Sequence, residues 1–252
     1  MKRLTAIVGA ALILVLMASG PASAEELHVW TTRAIATVLA DVGSRFERAS
    51  GHRLDVFSGL PDDFEKRLKA GAPLDLLISG SAPIDQWIKQ RRLLAATRTA
   101  VARSGIGLEV RTGTRKPDIS SVEAFKRALL EAKSIAYLNV GSGIYVHDLI
   151  ERLGMAAALK SKVIRPESDI VSELVAKGEV ELGMVVITQI LTTPGVELVG
   201  PLPREIQSYV DFAAAIGVNA KSPDAARQLI RFLSGPEAVA VIRKQGMEPG
   251  LR

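Results

Sequence analysis

From Leu27 onward the chain repeats one unit: a short apolar run, a small polar turn, then a helix with one apolar face. Leu27-His28-Val29-Trp30 reads as a strand, and Ile35, Val38, Leu39, Val42 and Phe46 fall on one face of the helix after it, which stops at Ser50-Gly51. Arg53 to Phe57 alternates as the next strand. Asp62 to Lys69 is a helix, Leu74 to Ile78 a buried strand, and Pro83 sits at the first helical position of the segment reaching Gln90. The pattern continues with strands at Gly107–Val110, Ser134–Asn139 and Leu182–Thr188. Helices follow a capping box at Ser120 and Glu123, the turn Gly141-Ser142-Gly143, the cap Ser168, and Ser222-Pro223. Buried strands alternating with helices specify an α/β protein with parallel sheet covered on both faces. Val196 to Val218 holds two strand-like runs with no helix between them, which disfavours an eight-unit barrel and favours two smaller sheets.

The first residues stand outside this pattern. Lys2-Arg3, an apolar run from Leu4 to Ala18, and Ala22-Ser23-Ala24 form a secretory signal peptide, with removal expected after Ala24. The expected location is therefore the periplasm. No Cys follows, which excludes a lipid anchor on cysteine, disulfides and thiolate metal sites. The formal net charge of +5 loses Lys2 and Arg3 with the leader. What remains is weak and scattered, and it is no nucleic-acid footprint. No later apolar run reaches membrane length, so the mature protein is expected not to be embedded in a membrane.

The turns after the strands are small and polar: Thr31-Thr32-Arg33, Ser58-Gly59, Ser79-Gly80-Ser81, Gly141-Ser142-Gly143 and Thr188-Gln189. Open α/β sheets bind ligands at this end of their strands. Unpaired amides at helix starts, with hydroxyls beside them, suit an anion. Each turn also has an ordinary reading, as a helix cap or as common turn chemistry. Arg33 either clamps a carboxylate or oxyanion through both guanidinium nitrogens, or lies on the surface at a first helical turn.

Catalytic signals are sparse. His28, His52 and His147 have no metal-ligand spacing, and there is no nucleophile elbow or phosphate loop. Trp30 and Trp87 read as core. No cofactor, metal or catalytic residue is expected. The alternative, an isomerase of a small carboxylic acid, has His147 and Asp169 as candidate bases.

Several segments, in their order and spacing, resemble the periplasmic molybdate-binding proteins of ABC importers, within the type II solute-binding group. They are Phe57-Ser58-Gly59, Gly71 to Ser79, Gly143-Ile144-Tyr145 with Leu149 and Leu153-Gly154, Leu182 to Val186, and Phe232 to Ala238. The resemblance implies a two-lobe α/β fold with two mostly parallel sheets flanked by helices and joined by two crossing strands. Lobe 1 would hold 25–105 and 211–252, lobe 2 would hold 106–210, and the crossings would lie near Val101–Gly107 and Ser208–Phe212. It implies a monomer that closes on a small anion and delivers it to an importer permease. The ligand-binding residues become Thr31, Thr32, Arg33, Ser58, Gly59, Ser79, Ser142, Gly143, Asp169, Ile170 and Thr188. Thr31-Thr32-Arg33 and Val186-Ile187 depart from the family's pattern. They introduce a cation and remove a tyrosine hydroxyl, which makes an organic carboxylate a candidate beside a molybdate-like oxyanion.

Overall fold

The computed structural model describes residues 24–250, so the expected signal peptide lies outside the described residues. The chain opens with β1 (Glu26–Thr31), α1 (Arg33–Ser50), β2 (Arg53–Ser58), α2 (Pro61–Lys69), β3 (Leu76–Gly80) and α3 (Ser81–Lys89). A long strand, β4 (Thr99–Arg111), leads to α4 (Val122–Glu131), β5 (Ile135–Ala136), α5 (Ser142–Arg152), α6 (Ala156–Leu159) and β6 (Val163–Ile164). Then come α7 (Val171–Lys177), β7 (Leu182–Val186), α8 (Ile187–Thr192) and β8 (Val196–Pro201). The chain returns through β9 (Tyr209–Ile216), α9 (Pro223–Leu233), α10 (Pro236–Lys244) and β10 (Glu248–Pro249).

Two lobes result, with β4 serving both. Its first half pairs antiparallel with β9, beside the parallel strands β3, β1 and β2. From Ile106 it pairs antiparallel with β7 and β8, and β7 continues in parallel to β5 and β6. The sheets are therefore mixed. The outer pairs are parallel, as the βα repeats require, whereas the strands around the crossing run antiparallel because β4 and β9 traverse the molecule in opposite directions.

Each lobe has its own core. In lobe 1, α1 lays Ile35, Val38, Leu39, Val42 and Phe46 on Leu27, Val29, Leu76 and Ile78, with α9 and α10 beside it. On the opposite face Trp30, Phe64, Ile84 and Trp87 pack together, so both tryptophans are core. In lobe 2, Leu108, Phe125, Leu129, Val146, Leu149 and Met184 fill one face of the sheet. Val171, Val175, Val185 and Ile190 fill the other. These large apolar side chains each contribute roughly 1.5–3 kcal/mol by leaving water.

Several boundaries differ from the sequence reading. The cap of α4 is Ser121, whose Oγ accepts from the Ala124 amide, not Ser120. The strand expected over Ser134–Asn139 pairs only at Ile135–Ala136. Pro83 stands third in α3. Helix α7 starts at Val171, after Ser168. Ile187 and Thr188 open α8 and do not extend β7.

Candidate functional site

In lobe 1, the parallel register places Thr31 opposite Ser58 of β2 and Ile78 of β3. The carboxyl ends of three strands, and the turns after them, therefore lie side by side. The Gly59 amide donates to the Thr31 carbonyl at 3.0 Å, fixing the second turn against the first. Within this group the hydroxyls have different fates. Thr31 is buried and donates to the Ile78 carbonyl at 2.9 Å, so its proton is used inside the sheet. Ser79 is buried at the end of β3, whereas Ser58 is exposed. Thr32 occupies the cap position of α1 but makes no capping bond, and its Oγ1 is buried without a partner.

Arg33, at the first position of α1, reaches across to lobe 2. Its Nη1 lies 2.5 Å from Glu173 Oε1 and 3.1 Å from the Asp169 carbonyl, and its Nη2 is 3.3 Å from Thr193 Oγ1. A second bridge is apolar. Leu60, in the turn after Ser58-Gly59, packs against the lobe 2 cluster of Leu138, Val171, Val185 and Ile190. The lobes thus touch on the side where the strand ends face each other.

Lobe 2 answers Arg33 with acids and amides. Asp169 accepts from Gln189 Nε2 at 2.9 Å. Burial holds its carboxyl above the usual range, against the opposing pull of that bond and of Arg33. Ile170 follows at the start of α7, partly exposed. Thr188 is fully buried; its amide approaches Ser104 Oγ at 3.4 Å and its Oγ1 has no partner. Ser142 and Gly143 are buried at the start of α5. A side chain at Gly143 would collide with the Leu138 backbone carbonyl, so only glycine lets the turn pass beneath that strand end. Helices α7 and α8 are too short to present a developed dipole, which leaves α1, α2, α3 and α5 as the longer helices that start at these turns.

The structure therefore gathers Thr32, Arg33 and Asp169 at one junction, with Thr188 on the helix whose Gln189 joins them. Thr31, Ser58, Gly59 and Ser79 lie side by side at the strand ends of lobe 1, with Thr31 and Ser79 buried and Ser58 exposed. No hydrogen bond ties Ser142 or Gly143 directly to Arg33 or Asp169. His147 points its Nδ1 at the Tyr137 hydroxyl, 3.4 Å away.

Sequence reasoning missed four members, Glu109, Ser172, Glu173 and Thr193, and named Gln189 only as part of the Thr188-Gln189 turn. Glu109 is the most unusual. It stands near the end of β4, fully buried, opposite Gly183 of β7. Ser172 Oγ donates to its Oε1 at 3.0 Å, and its Oε2 has no partner. Burial pushes its carboxyl up to about 7, with the Ser172 bond opposing and the Glu173 charge adding to the rise. The available signal was a single carboxylate inside the apolar run Ile106–Val110. A separate cavity of about 470 Å³ lies between residues 114–118 and α4, away from every residue expected in the site. Among the described residues no set of His, Asp or Glu is placed to hold a metal ion.

A family model described as bacterial extracellular solute-binding protein matches residues 27–248. The chain belongs to this family. It is thus an exported solute-binding protein, and among the described residues no helix is long and apolar enough to cross a membrane. It is 28% identical to an aconitate isomerase of a Pseudomonas species over 244 residues, covering 93% of each chain. It is 24% identical to the molybdate-binding protein ModA of Escherichia coli over 254 residues, covering 97% of each. Among solved structures it resembles the periplasmic molybdate-binding protein of Azotobacter vinelandii, with a TM-score of 0.74 and 21% identity, over 88% of this chain and 98% of that one. That likeness is to the type II periplasmic-binding-protein fold.

Proposed function

We propose that the protein captures a small organic carboxylate between its lobes in the periplasm, as a monomer, and delivers it to the permease of an ABC importer. The observation that carries this reading is Arg33. A guanidinium at the meeting of the lobes offers two parallel N–H donors, a fit for the two oxygens of a carboxylate. The unpartnered buried hydroxyls of Thr32 and Thr188 would complete the ligand's hydrogen bonds. A molybdate-like oxyanion suits the surroundings less well, because its whole charge sits at one centre beside Glu109, Asp169 and Glu173, whereas an organic acid can place one carboxylate on Arg33 and hold the others further off. The remaining ligand contacts in this reading are Ser58, Gly59, Ser79, Ser142, Gly143, Asp169 and Ile170; the Thr31 hydroxyl drops out, because its proton is held by the Ile78 carbonyl. The lobes divide at 105/106 and 210/211, and the leader leaves after Ala24. Calorimetry with molybdate, phosphate and a series of mono-, di- and tricarboxylates tests the reading. Micromolar binding of a carboxylate, lost in Arg33→Ala, is the expected result. Tight molybdate binding with no response to any carboxylate would overturn it.

A second reading is an isomerase of a small unsaturated acid. The similarity to an aconitate isomerase favours it, as does the raised carboxyl of Asp169 beside Arg33. Arg33 would hold the substrate carboxylate while Asp169 took a proton from the neighbouring carbon and returned it further along the chain. Turnover of cis- to trans-aconitate followed by NMR, abolished in Asp169→Asn with binding retained, separates catalysis from capture.

A further inference from the structure

Three carboxyl groups cluster near one guanidinium, that of Arg33, where α7 faces α1. Glu173 holds Arg33 directly, and its second oxygen is buried without a partner. Asp169, four residues earlier, gives Arg33 its carbonyl and keeps its carboxylate on Gln189. Glu109 lies beneath Ser172, walled by β7 at Gly183, where even a methyl group would strike its carboxyl. If all three acids are ionised, the cluster carries two more negative charges than positive ones. A ligand carboxylate that seats on Arg33 must take the guanidinium from Glu173 and bring a further negative charge with it.

Resting on the carboxylate reading above, we infer that ligand capture is coupled to the uptake of a proton by this cluster, with Glu109 as its main acceptor. Glu109 is the member best placed to accept. It is sealed from water, has one oxygen free of any donor, and is bound only by a neutral hydroxyl, whose bond a protonated carboxyl retains. The charged groups that act on it are Glu173 on α7, Asp169 ahead of α7, and Arg33 on α1. Its carboxyl already sits at about 7, held there chiefly by burial and lowered in part by Arg33. A ligand that occupies Arg33 removes that lowering and moves Glu109 higher. Below both positions the proton is already present and capture takes up none. Between them, each capture takes up as much as one proton. Affinity is therefore level under acidic conditions, falls by up to ten-fold per pH unit from about pH 7, and levels again above the ligand-bound position.

Calorimetry of the full mature protein with fumarate and with trans-aconitate, at about pH 7.5 in HEPES and in Tris, reads this directly, since the two buffers release protons with very different heats. The expected result is a buffer-dependent heat equivalent to half a proton or more per ligand bound, shrinking toward zero at about pH 5.5 in MES and in piperazine. Glu109→Gln keeps the volume and the acceptor for Ser172. In this variant the buffer difference should disappear, and the affinity should vary less than two-fold over the same range. Binding with buffer-independent heat in the unmodified protein overturns the coupling and leaves the carboxylate reading standing. An unchanged buffer difference in Glu109→Gln overturns Glu109 as the acceptor. No binding of either acid overturns the carboxylate reading, and the coupling with it.

Discussion

Each lobe buries a carboxyl group within its sheet, and the two are treated in opposite ways. Asp75, just ahead of β3 in lobe 1, accepts backbone amides from His28 at 2.9 Å, Lys221 at 2.6 Å and Ser222 at 3.0 Å. It ties β1 to the connection between β9 and α9, and both its oxygens are engaged. Glu109 in lobe 2 has one hydroxyl on one oxygen and nothing on the other. Both are almost wholly shielded from solvent. Burial alone therefore does not reveal what a carboxylate does. A full set of donors makes Asp75 a structural tie, whereas the shortage of donors leaves Glu109 able to exchange a proton.

This contrast is open to attack at four places. The largest effect is expected from Asp75→Ala, which strands three amides in the interior and should destabilise the protein by roughly 3–5 kcal/mol in denaturant titration. A loss below about 1 kcal/mol would mean that Asp75 is no tie. Next comes Glu109→Gln. The folded protein raises this carboxyl from 4.5 to about 7, so its contribution to stability is complete below about pH 4.5 and is lost as pH rises through about 7. The loss amounts to about 3 kcal/mol. The stability gap between Glu109→Gln and the parent protein should therefore widen in favour of glutamine across that window and level off above it. A gap that stays constant with pH would break the contrast. Arg33→Ala should weaken carboxylate binding by about 100-fold, or about 2.7 kcal/mol, in calorimetry. Arg33→Lys should recover only part of this, because it loses the planar fork. The smallest effect belongs to Ser121→Ala, which removes the α4 cap. Its expected cost of about 1 kcal/mol, measured by thermal unfolding, sets the scale of an ordinary hydrogen bond in lobe 2.

The sequence displayed the architecture well because its repeats are periodic. The α1 stripe, the buried strand at Leu76–Ile78 and the two helix-free runs before Val218 all carry their signal locally. Arg33 was legible for the same reason, as a cation directly after a buried strand's polar end. Glu109 was not. In an alternating strand it passes for a solvent-facing residue, and only the tertiary placement of α7 over that face encloses it. Glu173 carries no local signal of its role, because its partner Arg33 lies 140 positions earlier in the chain. Helix starts were blurred where two candidate caps adjoin, as at Ser120 and Ser121. The choice there depends on which backbone turns extended, and Ser121 does, at φ −143°.

Strand β4 has a practical consequence for anyone who would dissect this protein. Because one unbroken segment supplies pairing to both halves, a cut on either side of Gly105 leaves one fragment short of a central partner, with bare amides along the wound. Halves expressed separately should associate or precipitate instead of behaving as miniature receptors. A biosensor built on this scaffold should keep the strand whole and carry its reporter at an exposed tip such as Thr114, beyond the end of β4.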